Sequence, residues 1–290
     1  MIINTFISDS NDIPKYTEVS LRQLRSLNPS EKIYFISPKP EDYFKEYDIE
    51  WVSQKEIDGP LLSEFKNLSW FDSHGTPQTK YPSPEGFWQK TCERIFYLAE
   101  FSKNFSERIW HFENDVITYY PVSAVKTKEF PCATIMSPSQ ATFAVFNFSP
   151  KECESLCEFF LKVFLPGRSS YNPNIHISEM TLLRLAMLDG IADTFATLPM
   201  MCEEDDRFVF DPGSYGQFLG GTNNFHDPGF IDSEHYIGSM LKDRLIYVGW
   251  DSSGPYVLDN SRPWTPKNSK KFKLFNLHIH SKALEDFVYV

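Results

Sequence analysis

The chain has 290 residues, of which 41% are hydrophobic and 16% aromatic, ample apolar material for a large packed core. Its formal net charge of −11 argues against a nucleic-acid binder, because neutralising a phosphate backbone takes clustered Lys and Arg. No run approaches the roughly 20 apolar residues that span a bilayer, and the opening MIINTFISD is too short for a signal peptide, so a cytoplasmic protein without a transmembrane segment is expected.

MIINTFIS (1–8) reads as a strand. Pro14 then marks a helix start, and an amphipathic run continues through Leu27 to a stop at Asn28-Pro29. KIYFIS (32–37) and IEWV (49–52) supply two more strands, and this β-α-β alternation opens a parallel, doubly wound sheet. Residues 69–86 form a long polar loop, of a length that in compact domains is either functional or disordered. Trp88, Cys92, Ile95, Phe96 and Ala99 recur at the spacing of a helix over 86–101 with one buried face. Lys90 and Arg94 lie off that stripe, where they either reach a ligand or form ordinary solvated surface.

A strand at 108–112 follows, then CATIM (132–136) and TFAVFNF (142–148), a helix over 150–164, a second from Ile177 to Leu188, and a short strand in ADTFATL (192–198). The five cysteines, at 92, 132, 153, 157 and 202, contain no CxxC pair and are expected as reduced core residues. Met200 to Pro266 reads as irregular, with few periodic segments, although its many aromatics argue for order. In the closing FKLFNLHIHSK (272–282), alternation puts His278 and His280 on one face.

The unusual stretch is RIWHFENDVITYYP (108–121), where Glu113, Asn114 and Asp115 interrupt a hydrophobic strand. Buried carboxylates must be paired or bound to a cation. If the backbone stays extended, Glu113 and Asp115 face the same way at the C-terminal end of a strand, the edge where doubly wound sheets bind ligands. Two carboxylates so placed suit Mg²⁺ or Mn²⁺; the alternative is that they cap the element near Pro121. His278 and His280 would supply imidazole, and Lys282 a point charge for a phosphate.

An N-terminal β/α half, a strand ending in an acidic triplet and a C-terminal HIHSK together resemble the GT-A class of nucleotide-sugar glycosyltransferases. The triplet matches that family's Asp-x-Asp motif as Glu113-Asn114-Asp115, with Asp115 at the metal position and Glu113 on the metal or on the donor's ribose. The resemblance implies one α/β domain over 1–290 with a mixed, mainly parallel sheet flanked by helices. Its nucleotide-sugar half would be 1–120, and 121–290 would carry the acceptor half and the C-terminal metal segment.

It implies a divalent cation, Mn²⁺ or Mg²⁺, held by Asp115, Glu113 and His278 or His280. A UDP- or GDP-sugar donor would lie against Thr5, Phe6, Lys90, Arg94, Glu113, Asn114 and Lys282, and the acceptor would be a carbohydrate or glycoconjugate. HISEMTLLRLA is similar to the family's acidic helix start, which places Glu179 beside the transferred sugar, and Glu179 and Asp211 are the candidate bases for an inverting reaction. FDPGSYGQFLGGTNNFHDPGF (210–230), with its turns and aromatics, suits an acceptor pocket. Two other readings stay open: a metal-dependent phosphohydrolase of nucleotide diphosphates, and a sugar-binding protein on the same fold.

Overall fold

A computed structural model describes residues 3–7, 12–68, 87–164, 178–198, 207–219, 235–238, 245–259 and 270–288. Its principal sheet has seven strands. In chain order these are β1 (Ile3–Ile7), β2 (Lys32–Ser37), β3 (Ile49–Ser53), β4 (Ile109–Phe112), β6 (Cys132–Ser137), β7 (Gln140–Phe148) and β8 (Asp193–Thr194). They are arranged β3-β2-β1-β4-β7-β6-β8. The strands β3, β2, β1 and β4 are parallel, β7 runs against both β4 and β6, and β8 is parallel to β6. This is the mixed, mainly parallel α/β sheet expected.

The order reverses at β1, whose neighbours are β2 on one side and β4 on the other. The C-terminal ends of β1 and β4 therefore flank a topological switch point, where an open α/β sheet leaves a crevice.

Two clusters of apolar side chains cover the sheet. One includes α3 (Pro60–Lys66), α4 (Phe87–Ser102), α5 (Pro150–Phe164) and α6 (Glu179–Leu188), with α2 (Tyr43–Glu46) lying near β3. Cys92, Ile95, Phe96 and Ala99 of α4 are buried there as the spacing predicted, and Cys153 and Cys157 of α5 join them. Free thiols at Cys92, Cys132, Cys153 and Cys157 are all buried, as expected for reduced core cysteines; Cys202 lies outside the described residues.

The other cluster joins α1 (Tyr16–Leu27) to the chain's last third. Trp110 stacks on Phe195 at 5.6 Å and on Phe275 at 6.1 Å, and Phe210 packs on Phe275 at 4.8 Å.

The last third differs from its irregular reading. It contains a five-stranded sheet, β10-β11-β12-β13-β9, built from β9 (Phe208–Val209), β10 (His235–Gly238), β11 (Leu245–Asp251), β12 (Gly254–Asp259) and β13 (Lys270–Leu274). Its centre is the hairpin β11–β12, turning at Ser252-Ser253 between Asp251 and Gly254. Alternating Ile246, Val248 and Trp250 before a Ser-Ser-Gly turn is a hairpin signal. The glycines and prolines around it masked that signal.

The strand 108–121 is also not continuous. It breaks after Phe112 and resumes as β5 (Val116–Thr118), which pairs antiparallel with β14 (Asn276–His278) in a separate ribbon. Two polar residues of α1 and Asn28, just past its end, hold the chain beyond the break. Ser20 Oγ donates to the Val116 carbonyl, Gln23 Nε2 donates to Thr118 O at 2.7 Å, and Asn28 Oδ1 accepts the Val122 N–H at 3.0 Å. These bonds satisfy buried backbone groups that the broken strand would otherwise leave unpaired.

Candidate active site

The break in the strand is a turn. Glu113 N–H still bonds to Ala144 O at 3.1 Å, continuing the ladder, but Val116 N–H folds back to Glu113 O at 3.1 Å. The carboxylates of Glu113 and Asp115 therefore converge through a four-residue turn and not through the pleat of an extended strand. They do so at the C-terminal end of β4, beside the switch point.

The register of β5 against β14 sets Val116 opposite His278, and Ile279 N–H donates to Asp115 O at 3.0 Å. The end of the chain is thereby tied to the turn. His278 Nε2 lies 3.3 Å from Asp115 Oδ2 and 3.4 Å from Glu113 Oε2. One ligand atom from each of Glu113, Asp115 and His278 falls within 4.8 Å of the others. Two carboxylate oxygens and an imidazole nitrogen form a donor set suited to Mn²⁺ and compatible with Mg²⁺. The imidazole's other nitrogen, Nδ1, is 3.1 Å from the Pro212 carbonyl, the kind of outer contact that fixes a ligating histidine's orientation.

His280 is not in that group. Its ring meets His278 edge-on at 4.5 Å, and burial followed by the charge on His278 pushes its pKa down to about 3. Burial also opposes protonation of His278, but Asp115 and then Glu113 outweigh it and lift its pKa to about 9. Asp115 is itself held well below the usual carboxylate range, because His278 and Lys282 overcome the cost of burying its charge.

Each carboxylate also has a cation of its own. Lys282 Nζ pairs with Asp115 Oδ2, and Arg94 Nη2 donates to Glu113 Oε1 at 2.8 Å. Arg94 reaches on to Glu179 Oε1 at 3.8 Å, and Thr91 Oγ1 donates to Glu179 Oε2 at 2.6 Å. Glu179 is the first residue of α6, capped by Ser178, whose Oγ accepts the Thr181 N–H at 3.3 Å. Burial raises the Glu179 pKa in spite of Arg94 and Thr91. Arg94 thus links the carboxylate turn to the acidic helix start.

The other sequence candidates fall elsewhere. Lys90 is exposed and, among the described residues, forms no ion pair. Asn114 is half-buried at the apex of the turn. Thr5 and Phe6 lie on β1, opposite Tyr34 and Phe35 of β2, and their side chains are outside the described residues.

Asp211 is not available as a base. It is fully buried, and its carboxylate accepts N–H groups from Gly213 and Tyr215 at 3.0 Å each, Gly216 at 2.8 Å and His278 at 3.2 Å. Asn276 clasps its backbone in both directions, donating to Asp211 O at 2.9 Å and accepting from Asp211 N at 3.2 Å. Asp211 is the support on which His278 rests. The described part of 210–230 is correspondingly a buried brace under the histidine, with Tyr215 fully buried, and residues 220–230 lie outside the described set.

Sequence reasoning missed Thr91, three residues before Arg94 on the same helix face, and Tyr16, whose ring lies 5.4 Å from Lys282 Nζ. The helical spacing of Thr91 was a usable signal. Nothing local marks Tyr16 or the Pro212 carbonyl.

No protein-family model matches the chain, and no curated protein matches it. Among solved structures, it is similar to the apo-form glycosyltransferase GlyE of Streptococcus pneumoniae, with 12% identity and a TM-score of 0.41 over 67% of this chain and 44% of that one. It thus spans less than half the length of GlyE. It is also similar to the galactosyltransferase LgtC in complex with donor and acceptor sugar analogues, with 12% identity and a TM-score of 0.42 over 74% of this chain and 77% of that one. A third similar structure is mouse xyloside xylosyltransferase 1, with 10% identity and a TM-score of 0.39 over 71% of this chain and 86% of that one.

Proposed function

We propose that this protein is a divalent-metal-dependent glycosyltransferase of the GT-A type, moving one sugar from a nucleotide-diphosphate donor to a carbohydrate or glycoconjugate acceptor. One observation carries the reading. Glu113 and Asp115 at a strand end, and His278 from more than 150 residues later in sequence, converge on a single oxygen and imidazole donor set at the sheet's switch point.

In this reading Asp115, Glu113 and His278 would hold Mn²⁺ or Mg²⁺, which when bound would supply positive charge to stabilise a departing diphosphate. Lys282 adds a positive charge on the same side. Arg94 fixes Glu113 and orients Glu179, which Thr91 holds in place beside the transferred sugar. Lys90, Asn114 and the β1 positions Thr5 and Phe6 are assigned to the donor's nucleotide end. The whole chain, 1–290, is taken as one domain, supported by the apolar cluster that joins Trp110 and Phe112 to Phe208, Phe275 and Phe287.

A cytoplasmic location is part of the proposal. It is supported by the four free thiols, and no helix among the described residues is long and apolar enough to cross a membrane.

Thermal melting against a panel of UDP- and GDP-sugars with Mn²⁺, and again in excess EDTA, tests the reading, since a ligand that binds only the folded state raises its melting temperature. A shift that needs both sugar nucleotide and metal is expected. No shift with any nucleotide sugar would overturn the proposal. Full-rate nucleotide release without acceptor would instead identify a phosphohydrolase, and glycan binding indifferent to EDTA a sugar-binding protein.

A further inference from the structure

Each carboxylate of the metal group described above is already paired with a cation from within the chain. The two carboxylates carry two negative charges, and Lys282 and Arg94 supply two positive ones, each on a different carboxylate. Arg94 is anchored twice, by Glu113 and by Glu179, so it is fixed in place. Lys282 is held differently. It reaches Asp115 from the segment that follows β14, its side chain is about 40% exposed, and its backbone sits at φ +67°, a conformation that costs a non-glycine residue energy. Tyr16 offers its ring to the same ammonium at 5.4 Å. Lys282 Nζ and a divalent ion would compete for one oxygen, Asp115 Oδ2, which also faces His278 Nε2.

We propose that Lys282 is a built-in counter-ion that occupies Asp115 until a divalent cation displaces it, so that the bare protein binds metal weakly and metal entry frees Lys282 for an incoming phosphate. The inference rests on the metal-site reading. Its physical basis is that two cations cannot share one carboxylate oxygen without strong repulsion, so the affinity for one is lowered by the presence of the other.

Isothermal titration with Mn²⁺ alone, on the full chain without nucleotide, tests this. Lys282→Met removes the charge while keeping the stem, and should tighten Mn²⁺ binding by roughly tenfold, within the ordinary range for coupling between two ligands of one site. Lys282→Gly, which also relieves the left-handed backbone, should do the same, and guards against a folding artefact in the first variant. Lys282→Arg keeps the charge and should bind Mn²⁺ as weakly as the wild type.

Equal or weaker binding by both neutral variants would overturn the counter-ion role while leaving the metal site standing. Absence of Mn²⁺ binding in the wild type and in every variant would overturn both.

Discussion

Glu113 and Asp115 are placed by their immediate neighbours: the parallel strand β4 ends, the ladder bond to Ala144 persists, and a turn closes on Val116. His278 is placed by residues far from it in sequence. Its N–H rests on Asp211, its ring nitrogen meets the Pro212 carbonyl, and its strand exists only because β5 pairs with it. The carboxylate side of the site is thus a local consequence of a sheet edge, whereas the histidine side is a suspended segment braced by one buried aspartate. Damage to the brace should therefore leave the sheet intact while the site comes apart.

The largest effect is expected where the two sides meet. Asp115→Asn keeps the size but removes the charge, and should lower turnover by on the order of 10²-fold or more, the scale of losing a main source of transition-state charge stabilisation. His278→Ala should match it, and His280→Ala should not, because only His278 faces both carboxylates. Since ligands of one metal act as a unit, the double variant Asp115→Asn with His278→Ala should cost little beyond either change alone. Additive losses in a Mn²⁺-dependent assay would separate the two sides and remove the shared site.

Next comes the brace. Asp211→Ala strips acceptors from four buried N–H groups at once, and should cost about 3 kcal/mol of stability as well as most of the Mn²⁺ affinity. Chemical denaturation and calorimetry measure the two losses separately. Retained Mn²⁺ affinity in a destabilised variant would show that His278 keeps its place without Asp211.

A smaller change probes the same brace by sterics alone. A Cβ on Gly216 would lie 2.3 Å from the His278 carbonyl oxygen and 2.7 Å from Asp211 Oδ2, so Gly216→Ala must push the histidine strand away. About 2 kcal/mol of destabilisation is expected, in the range of overpacked cores, with weakened metal binding. A variant with wild-type stability and affinity would mean that the strand moves freely, against the rigid brace drawn here.

The legibility of the sequence divides along the same line. Strands at 32–37, 49–52 and 109–112 and the helices through Leu27 and over 150–164 were readable because each carries its own apolar period. The acid pair was conspicuous because carboxylates interrupt a strand, and Arg94 because it leaves the buried stripe of its helix. What was hidden is non-local. Asp211 looks like a free acid until Asn276, Gly216 and His278 are brought to it from up to 67 residues away. The two-residue strand β9 has no period to read, and the hairpin β11–β12 was obscured by turn residues.

The smallest effect is a predicted absence of change, and it separates the two regions most directly. Cys92, Cys132, Cys153 and Cys157 all sit in or against the seven-stranded sheet and its helices, none of them in the described brace. Burial pushes the Cys132 thiol up to about 12, so at pH 8 almost none of it is the reactive thiolate, and a reagent must wait for the sheet to open. If the brace is a separate support, Asp211→Ala and Gly216→Ala should leave alkylation of these four cysteines, followed peptide by peptide by mass spectrometry under native conditions, close to the wild-type rate. Lys282→Met should leave it unchanged. If instead the thiols are exposed as soon as Asp211 is removed, the seven-stranded sheet depends on the histidine segment for its own stability, and the carboxylate turn would no longer be the local product of a strand end.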